Sequence, residues 1–327
     1  MKDIRKIAVC TSGGDAPGMN AAIRSVVRTG MANGFEVWGI RRGYQGMIDN
    51  DMMRLTSSDV SNIIQRGGTI LKTARSEAFY HAEGRQMAYQ HLLSAGIDAV
   101  LVIGGDGSFA AANVFMHEHP DIAFVGIPGT IDNDLSGTDY TIGFDTALNT
   151  IVEAVDKLRD TAASHDRLFF VEVMGRDSGM IALYSGIAVG AESILIPETT
   201  TYVDKLIQLL KRGWQRHKSS CIIIVAEGDD AGGAAKIAEQ VKHEFAHYDT
   251  RVSVLGHIQR GGNPTCQDRL LASRLGYEAV EALSRGKNGV MVGIQNEILK
   301  LTPFENAIKD KNKINMQLVK LAEILSI

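Results

Sequence analysis

The sequence predicts an α/β protein with open, mostly parallel sheets spread over about two domains. Three observations predict it. Short β-branched apolar runs alternate with helix-length segments, the pattern of βαβ units whose strands are buried on both faces. Turns carrying glycine or charged side chains follow directly on these runs and fall into two groups along the chain. The length of 327 residues corresponds to about two domains at roughly 150 residues each. Eight strands would also suit a (β/α)8 barrel; the grouping of the turns and the length favour open sheets.

The strands expected, in order, are IRKIAV (4–9), EVWGI (36–40), AVLVI (99–103), AFVGIP (123–128), LFFVEVM (168–174), SILIPE (193–198), CIIIVAE (221–227) and RVSVLG (251–256). Between them the spacing of apolar residues predicts helices over 20–34, 107–119, 146–165 and 232–248. No Pro/Ser linker separates two halves, and the echo of IQRGG at 64–68 and 258–262 is too short to count as a repeat. The 34 glycines against 6 prolines, without low complexity, suggest several tight backbone turns.

Composition excludes some classes of function. Hydrophobic residues at 45% and charged ones at 22% are ordinary for a soluble globular chain. A net charge of -4 lacks the basic excess of a general nucleic-acid binder. Cys10, Cys221 and Cys266 lie far apart, so neither a disulfide framework nor a cysteine zinc site is expected. The first residues lack the form of a signal peptide and no apolar run reaches spanning length, so a cytoplasmic location without membrane attachment is expected.

Three turns look chemical because ligands of open parallel sheets bind where strands end and helices begin. After the first strand, TSGGDAPGMN (11–20) places glycines where backbone N–H groups can turn toward one anion, helped by the helix N-terminus that follows. GGDGS (104–108) has the same form, with Asp106 available to hold Mg²⁺ beside a polyphosphate. PGTIDND (128–134) brings Asp132 and Asp134, either of which could act as a base on a hydroxyl. Each alone could be an ordinary glycine or Asx turn; three in succession point to a phosphate and metal site. The loose dinucleotide pattern GDGSFA lacks the acidic residue expected at the next strand end. No P-loop, G-x-x-x-x-G-K-[ST], occurs.

The second group is cationic: MGR (174–176), HIQR (257–260), Arg167 and Arg251 lie at or near strand ends. Arginine binds phosphate bidentately and keeps its proton, which suggests a sugar phosphate. Glu227 could accept hydrogen bonds from sugar hydroxyls or cap the turn after it. HEFAH (243–247) fits the H-E-x-x-H zinc signature, but its helix is otherwise polar and no third ligand is demanded.

Taken together, TSGGDAPGMNA, GGDGS, PGTIDND, TIGFDTA, SHDR, VMGR and LGHIQRGG resemble the bacterial ATP-dependent 6-phosphofructokinase family, in order, from Ile7 to about Glu297. The resemblance implies two three-layer α/β/α domains with the active site in the interdomain cleft. An ATP- and Mg²⁺-binding domain would comprise 1–143 and 259–309, and a fructose-6-phosphate domain 144–258 and 310–327. The implied reaction moves the γ-phosphate of ATP to the 1-hydroxyl of fructose 6-phosphate. By position, Asp132 would be the base, Thr130 and Asp134 would support substrate and metal, and Arg75 and Arg176 would neutralise the transferred group. Gly13, Arg75, Ser76, Gly105, Asp106, Gly107 and Ser108 would bind ATP, with Asp106 on the metal. Thr130, Ile131, Asp132, Met174, Gly175, Arg176, Glu227, His257, Ile258, Gln259 and Arg260 would bind the sugar phosphate. Arg167 and Arg251 match residues the family supplies across a subunit interface, which implies a homotetramer. Effector residues for ADP or phosphoenolpyruvate would be Arg24, Arg28, Arg159, Glu192, Arg216 and Lys218.

Pyrophosphate-dependent relatives carry Asp where this chain has Gly107 and Lys where it has Gly129, so glycine at both implies ATP. Two departures stand out. Ser76 replaces the usual aromatic beside adenine. Ser57 replaces an effector-site arginine, and Ser219 and Ser220 follow Lys218, so weakened effector binding is expected. Other GGDG-bearing kinases do not account for TIDND together with HIQRGG. A non-catalytic homologue would have lost a base or metal ligand.

Overall fold

The computed structural model describes residues 4–216 and 220–326. In chain order its helices and strands are β1 (Lys6–Thr11), α1 (Met19–Ala32), β2 (Glu36–Ile40), α2 (Gly43–Ile48), β3 (Met52–Arg54), α3 (Ala82–Ser94), β4 (Ala99–Gly104), α4 (Asp106–Glu118), β5 (Ala123–Pro128), α5 (Phe144–Ser164), β6 (Arg167–Val173), α6 (Met180–Ala188), β7 (Ser193–Leu195), α7 (Val203–Gln215), β8 (Cys221–Ala226), α8 (Gly233–Glu244), β9 (Asp249–Val254), α9 (Cys266–Ser284), β10 (Val290–Gln295), β11 (Ile298–Pro303), α10 (Phe304–Lys309) and α11 (Met316–Leu325). By packing, the chain forms two compact units. The first runs to Ile131 and takes in Leu135–Thr146 and Arg260–Asn312; the second holds Asp132–Asp134, Ala147–Gln259 and the chain from Lys313 on. The boundaries expected from sequence, at 143/144, 258/259 and 309/310, differ by a few residues. The excursion of Asp132–Asp134 has no sequence signal.

The first unit is a seven-stranded sheet in the order β11-β10-β5-β4-β1-β2-β3. Its pairs are parallel except β2–β3 and β10–β11. Helices α1 and α9 pack together and against strands on one face. On the other face α2, α3, α4 and α10 enclose Tyr44, Phe79, Phe109, Phe115, Phe124 and Phe304. Every residue of β4 is buried, which is why AVLVI reads as a continuous apolar run. The sheet gives the site its place. β1 and β4 are parallel neighbours, yet α1 leaves β1 on one face and α4 leaves β4 on the other. That is a topological switch point, and it opens a crevice at the carboxyl ends of β1 and β4.

The second unit is an all-parallel sheet in the order β7-β8-β6-β9. Helices α7 and α8 cover one face through Leu206, Leu210, Ile237 and Val241. On the other side α6 packs on β7 and β8, with α11 against α6 and β7. Here the switch point falls between β6 and β8, whose helices α6 and α8 depart on opposite faces.

Three strands lie outside the sequence expectation: β3, β10 and β11. The β10–β11 hairpin turns on Asn296 and Glu297, both left-handed with φ of 50° and 65°. That geometry normally announces itself with a glycine, and this turn has none. The helix expected over 232–248 ends at Glu244, so His247 does not lie on the helical face of His243; it stacks instead on Phe245 at 4.8 Å. The H-E-x-x-H pattern is therefore not a zinc helix, and no metal-binding group of three His, Cys, Asp or Glu occurs among the described residues. No helix among them is long and apolar enough to cross a membrane.

Candidate active site

The loop after β1 is built for close approach. Gly13 is left-handed at φ 83°, and a Cβ on it would lie 3.5 Å from Ser108 Oγ. Ser12 N–H donates to Ile103 O at 2.9 Å, tying this loop to the end of β4. Gly104 has no room for a side chain: a Cβ would sit 2.5 Å from Ser108 Oγ and 2.6 Å from Ser12 O. Helix α4 starts at once, with Asp106 in its first turn, so its N-terminal N–H groups and the loop after β1 share one crevice. The Asp106 side chain accepts from Gly107 N–H at 2.7 Å.

A third segment, the one that carries Arg75, lines this crevice. Thr11 Oγ1 donates to Lys72 O at 2.9 Å, and Thr73 Oγ1 donates to Gly13 O at 2.7 Å. These bonds hold 69–75 against the glycine loop and present Arg75, which is exposed. Ser76 does not stand alone: its hydroxyl donates to Gln45 Oε1 at 2.8 Å. Tyr44 donates its phenol to Ser108 O, and burial pushes that phenol well above its ordinary pKa, so it stays a donor. Arg260 also belongs to the first unit. It donates to Asp15 O at 3.2 Å, and its guanidinium lies where a Cβ on Gly14 would be, 2.4 Å away. Glycine at 14 is thus required by the arginine packed over it, not only by a ligand.

In the second unit Asp132 is buried, with Arg176 Nε 3.8 Å from Oδ2. Ser178 Oγ donates to the Asp132 carbonyl at 3.3 Å. Arg176 follows Gly175 in the turn after β6; their φ values are 51° and 141°. A Cβ on Gly175 would lie 2.4 Å from Ser178 O, so only glycine fits there. Glu227, at the end of the adjacent β8, holds this turn: its Oε1 accepts from Gly175 N–H at 3.2 Å and Arg176 N–H at 2.8 Å. Glu227 Oε1 thus braces the turn of the neighbouring strand and not the turn that follows Glu227 itself, which sequence reasoning did not foresee. Gln259 departs from the expected role. It is fully buried, accepts from Met174 N–H at 3.2 Å and donates to Gly256 O at 2.9 Å, so it positions the turn and does not face a ligand. Ile131 is likewise fully buried and can offer a ligand only its backbone. Thr130 and Asp134 are half-buried, while His257 and Ile258 are exposed.

Arg167 and Arg251 come together on one carboxylate. Arg167 Nε donates to Asp249 Oδ2 at 3.1 Å, and Arg251 donates to the same oxygen at 2.8 Å. Partial desolvation works against ionisation of Asp249, but the hydrogen bonds and charges of the two arginines outweigh it and hold the carboxyl below its ordinary pKa. Among the expected effector residues, Arg159 donates to Val189 O at 2.5 Å, Glu192 is buried and accepts from Ile222 N–H, and Arg216 is exposed. Arg24 and Arg28 lie on α1, and Ser57 in an exposed turn. Lys218 and Ser219 lie outside the described residues.

Asp268 escaped sequence reasoning because its partners are more than 120 positions away. It is buried, and its carboxylate accepts from Gly143 N–H and Thr146 N–H at 2.8 Å each and from Thr146 Oγ1 at 2.5 Å. Thr141, in the same segment, donates to Thr130 O at 2.6 Å, so Asp268 steadies the loop that leads away from Asp132. Burial outweighs these bonds and pushes the carboxyl up to about 6. A folded pKa above the unfolded value stabilises at low pH and loses that contribution as pH rises through about 6. We expect the unfolding free energy of the wild type to fall between pH 4.5 and 7.5 by ~2 kcal/mol more than that of Asp268→Asn, with the melting temperature following. Parallel slopes in thermal melts of the two proteins would refute this.

Two glycine loops and a helix N-terminus on one switch point, and a buried carboxylate beside an arginine on another, define an α/β phosphoryl-transfer enzyme. Residues 6–283 match the phosphofructokinase family. A relative from Bacteroides thetaiotaomicron, ATP-dependent 6-phosphofructokinase 2, is 54% identical over 327 residues, the whole of both chains. ATP-dependent 6-phosphofructokinase 1 of Thermus thermophilus is 55% identical over 324 residues, 99% of this chain and 100% of the relative. The phosphofructokinase structure from Saccharomyces cerevisiae superposes with a TM-score of 0.89 at 39% identity, over 93% of this chain and 45% of the yeast chain, so this chain spans about half its length. The chain belongs to the phosphofructokinase family.

Proposed function

We propose that this chain is a glycolytic ATP-dependent 6-phosphofructokinase, which transfers the γ-phosphate of ATP to the 1-hydroxyl of fructose 6-phosphate and yields fructose 1,6-bisphosphate. The observation that carries this reading is Asp132, a carboxylate buried at a turn and set 3.8 Å from Arg176, on a chain whose relatives bear that activity in their names. Asp132 takes the proton of the 1-hydroxyl as its oxygen attacks phosphorus. Arg176, and Arg75 beside the glycine loop, balance charge on the transferred group. Gly13 and the N-terminus of α4 bind the ATP phosphates through backbone N–H groups. The donor set suits Mg²⁺: one carboxylate, Asp106, at a helix N-terminus beside a phosphate crevice leaves the remaining positions for phosphate oxygens and water. Mg²⁺ bound there would neutralise phosphate charge. Thr130 and Asp134 orient substrate and metal, and Met174, Gly175, His257, Ile258 and Arg260 shape the sugar-phosphate pocket.

Arg167 and Arg251 would serve the sugar phosphate of a neighbouring subunit in a homotetramer. β9 supports this, since it is an edge strand with Val252 and Val254 exposed on one face, an edge that proteins normally cover. ADP or phosphoenolpyruvate would act through Arg24, Arg28, Arg159, Glu192, Arg216 and Lys218, and weakly given Ser57. The enzyme works in the cytoplasm.

Donor choice is testable at Gly107. Apart from its chain neighbours and the backbone of its own helix, nothing among the described residues lies within 4 Å of a Cβ built there, so Asp is accommodated, whereas a side chain on Gly129 would strike Ile103 at 2.8 Å. In steady-state assays with fructose 6-phosphate, ATP should support turnover and pyrophosphate should not. Gly107→Asp should lower kcat/KM for ATP by at least ~10-fold, the cost of setting a carboxylate against a phosphate at ~1.4 kcal/mol. Activity with pyrophosphate alone would overturn the reading.

A further inference from the structure

A cavity of about 850 Å³ lies within the second unit, between α7, the β7 segment and α11. Its size is that of a small-molecule site, and the catalytic reading makes no use of it. Its lining is mixed: Leu183, Ile194, Leu206 and Leu209, with Val319 and Ala322 from α11, form an apolar side, and hydroxyl and charged groups form the rest. Leu209, Ile194, Val319 and Ala322 are only half-buried, so apolar surface there is still open to an occupant. Helix α11 has no buried residue at all, although seven of its ten residues are apolar. Its half-buried positions make it one wall of this trough.

The charges say what kind of occupant fits. Lys205, Leu206, Leu209, Arg212 and Arg216 recur at helical spacing along the α7 side, a row about 16 Å long at ~1.5 Å per residue. At one end of that row Arg212 and Arg216 are exposed, and neither guanidinium has an ion-pair partner among the described residues. Of the two carboxylates there, Glu192 is buried and engaged by Ile222 N–H, and Glu323 on α11 is exposed and forms no ion pair with either arginine. A trough with one apolar side, ending in two guanidiniums that have no ion-pair partner among the described residues, suits a molecule with an apolar chain and one anionic head.

We propose that this trough binds a medium-chain carboxylate, with its head at Arg212 and Arg216 and its chain along Leu209, Leu206 and Ile194 toward α11. Burial of the chain supplies the affinity and the guanidiniums fix its direction. Arg216 and Glu192 are also expected effector residues; Leu209, Arg212 and Val319 are not, and they separate this site from a nucleotide site.

The test is calorimetric titration of the full-length protein with decanoate below its micellar range, beside decanol and butyrate as probes lacking the charge or the chain. Decanoate should bind saturably, one per chain, and decanol and butyrate should each bind at least ~10-fold more weakly, ~1.4 kcal/mol. Leu209→Glu, which charges the floor, and Arg212→Glu, which reverses the head contact on an exposed position, should each weaken decanoate at least ~10-fold. Absence of saturable heat, equal binding of decanol, or undiminished binding by Arg212→Glu would overturn the proposal.

Discussion

Replacing Asp132 by Asn is expected to lower kcat by ~10²–10⁴-fold, the usual contribution of a positioned general base, while fructose 6-phosphate still binds. The two side chains have the same size and shape, so the buried site keeps its packing. Ser178 still meets the residue, because its bond goes to the carbonyl of position 132 and not to the carboxylate. What changes is the capacity to accept a proton as the hydroxyl attacks. The ion pair to Arg176 is lost as well, but that side chain is 58% exposed and its charge can be resolvated. The loss should therefore appear in kcat, with KM for fructose 6-phosphate nearly unchanged; steady-state kinetics with calorimetric binding of the sugar phosphate separates the two. Turnover that survives at the wild-type level removes Asp132 from the base role.

Much of this site was legible because its local chemistry is concentrated at strand ends. Gly13, Gly104 and Asp106 sit in turns whose conformation only glycine or an acidic helix start serves well, and such turns are readable in a single line of sequence. The same holds for Gly175, whose φ of 141° excludes other residues. What the sequence did not disclose is contributed from a distance. Thr73 reaches Gly13 across 60 positions, Asp268 reaches Thr146 across 122, and Arg260 reaches Asp15 across 245. Thr73 and Asp268 have no pattern of their own, since a threonine or aspartate in a polar stretch looks like solvated surface until the fold supplies its partner; Arg260 stands out in HIQR, but its contact with Asp15 does not. Gln259 shows the opposite error. Its motif neighbours made it look like a ligand contact, but burial turns it into a brace between Met174 and Gly256. The strands missed, β3, β10 and β11, lie at the two margins of the first sheet. β3 is short and β11 half-exposed, so neither shows the continuous apolar run of the central strands, whereas β10 does carry such a run, VMVGI, buried at its four central positions.

Arg176→Ala is expected to cost ~10²–10³-fold in kcat, the range for removing one preorganised donor at developing charge. The backbone makes this substitution unusually clean. Arg176 is left-handed at φ 51°, a conformation that strains any residue with a Cβ, alanine as much as arginine. The turn is held independently, since Glu227 Oε1 takes the Gly175 and Arg176 N–H groups and neither bond involves the side chain. Arg176→Ala therefore removes the guanidinium and little else, and its melting temperature should stay at the wild-type value. Arg176→Lys keeps the charge but loses the planar fork, so it should recover part of the rate and not all of it. Arg176→Gly relieves the strain without restoring charge and should be as slow as Ala. Equal rates for Lys and Ala would mean that charge at this position does not act on the transferred phosphate. Combined with Asp132→Asn, the alanine variant should lose less than the product of the two single losses, because once no base takes the proton the chemical step no longer develops the charge that Arg176 meets.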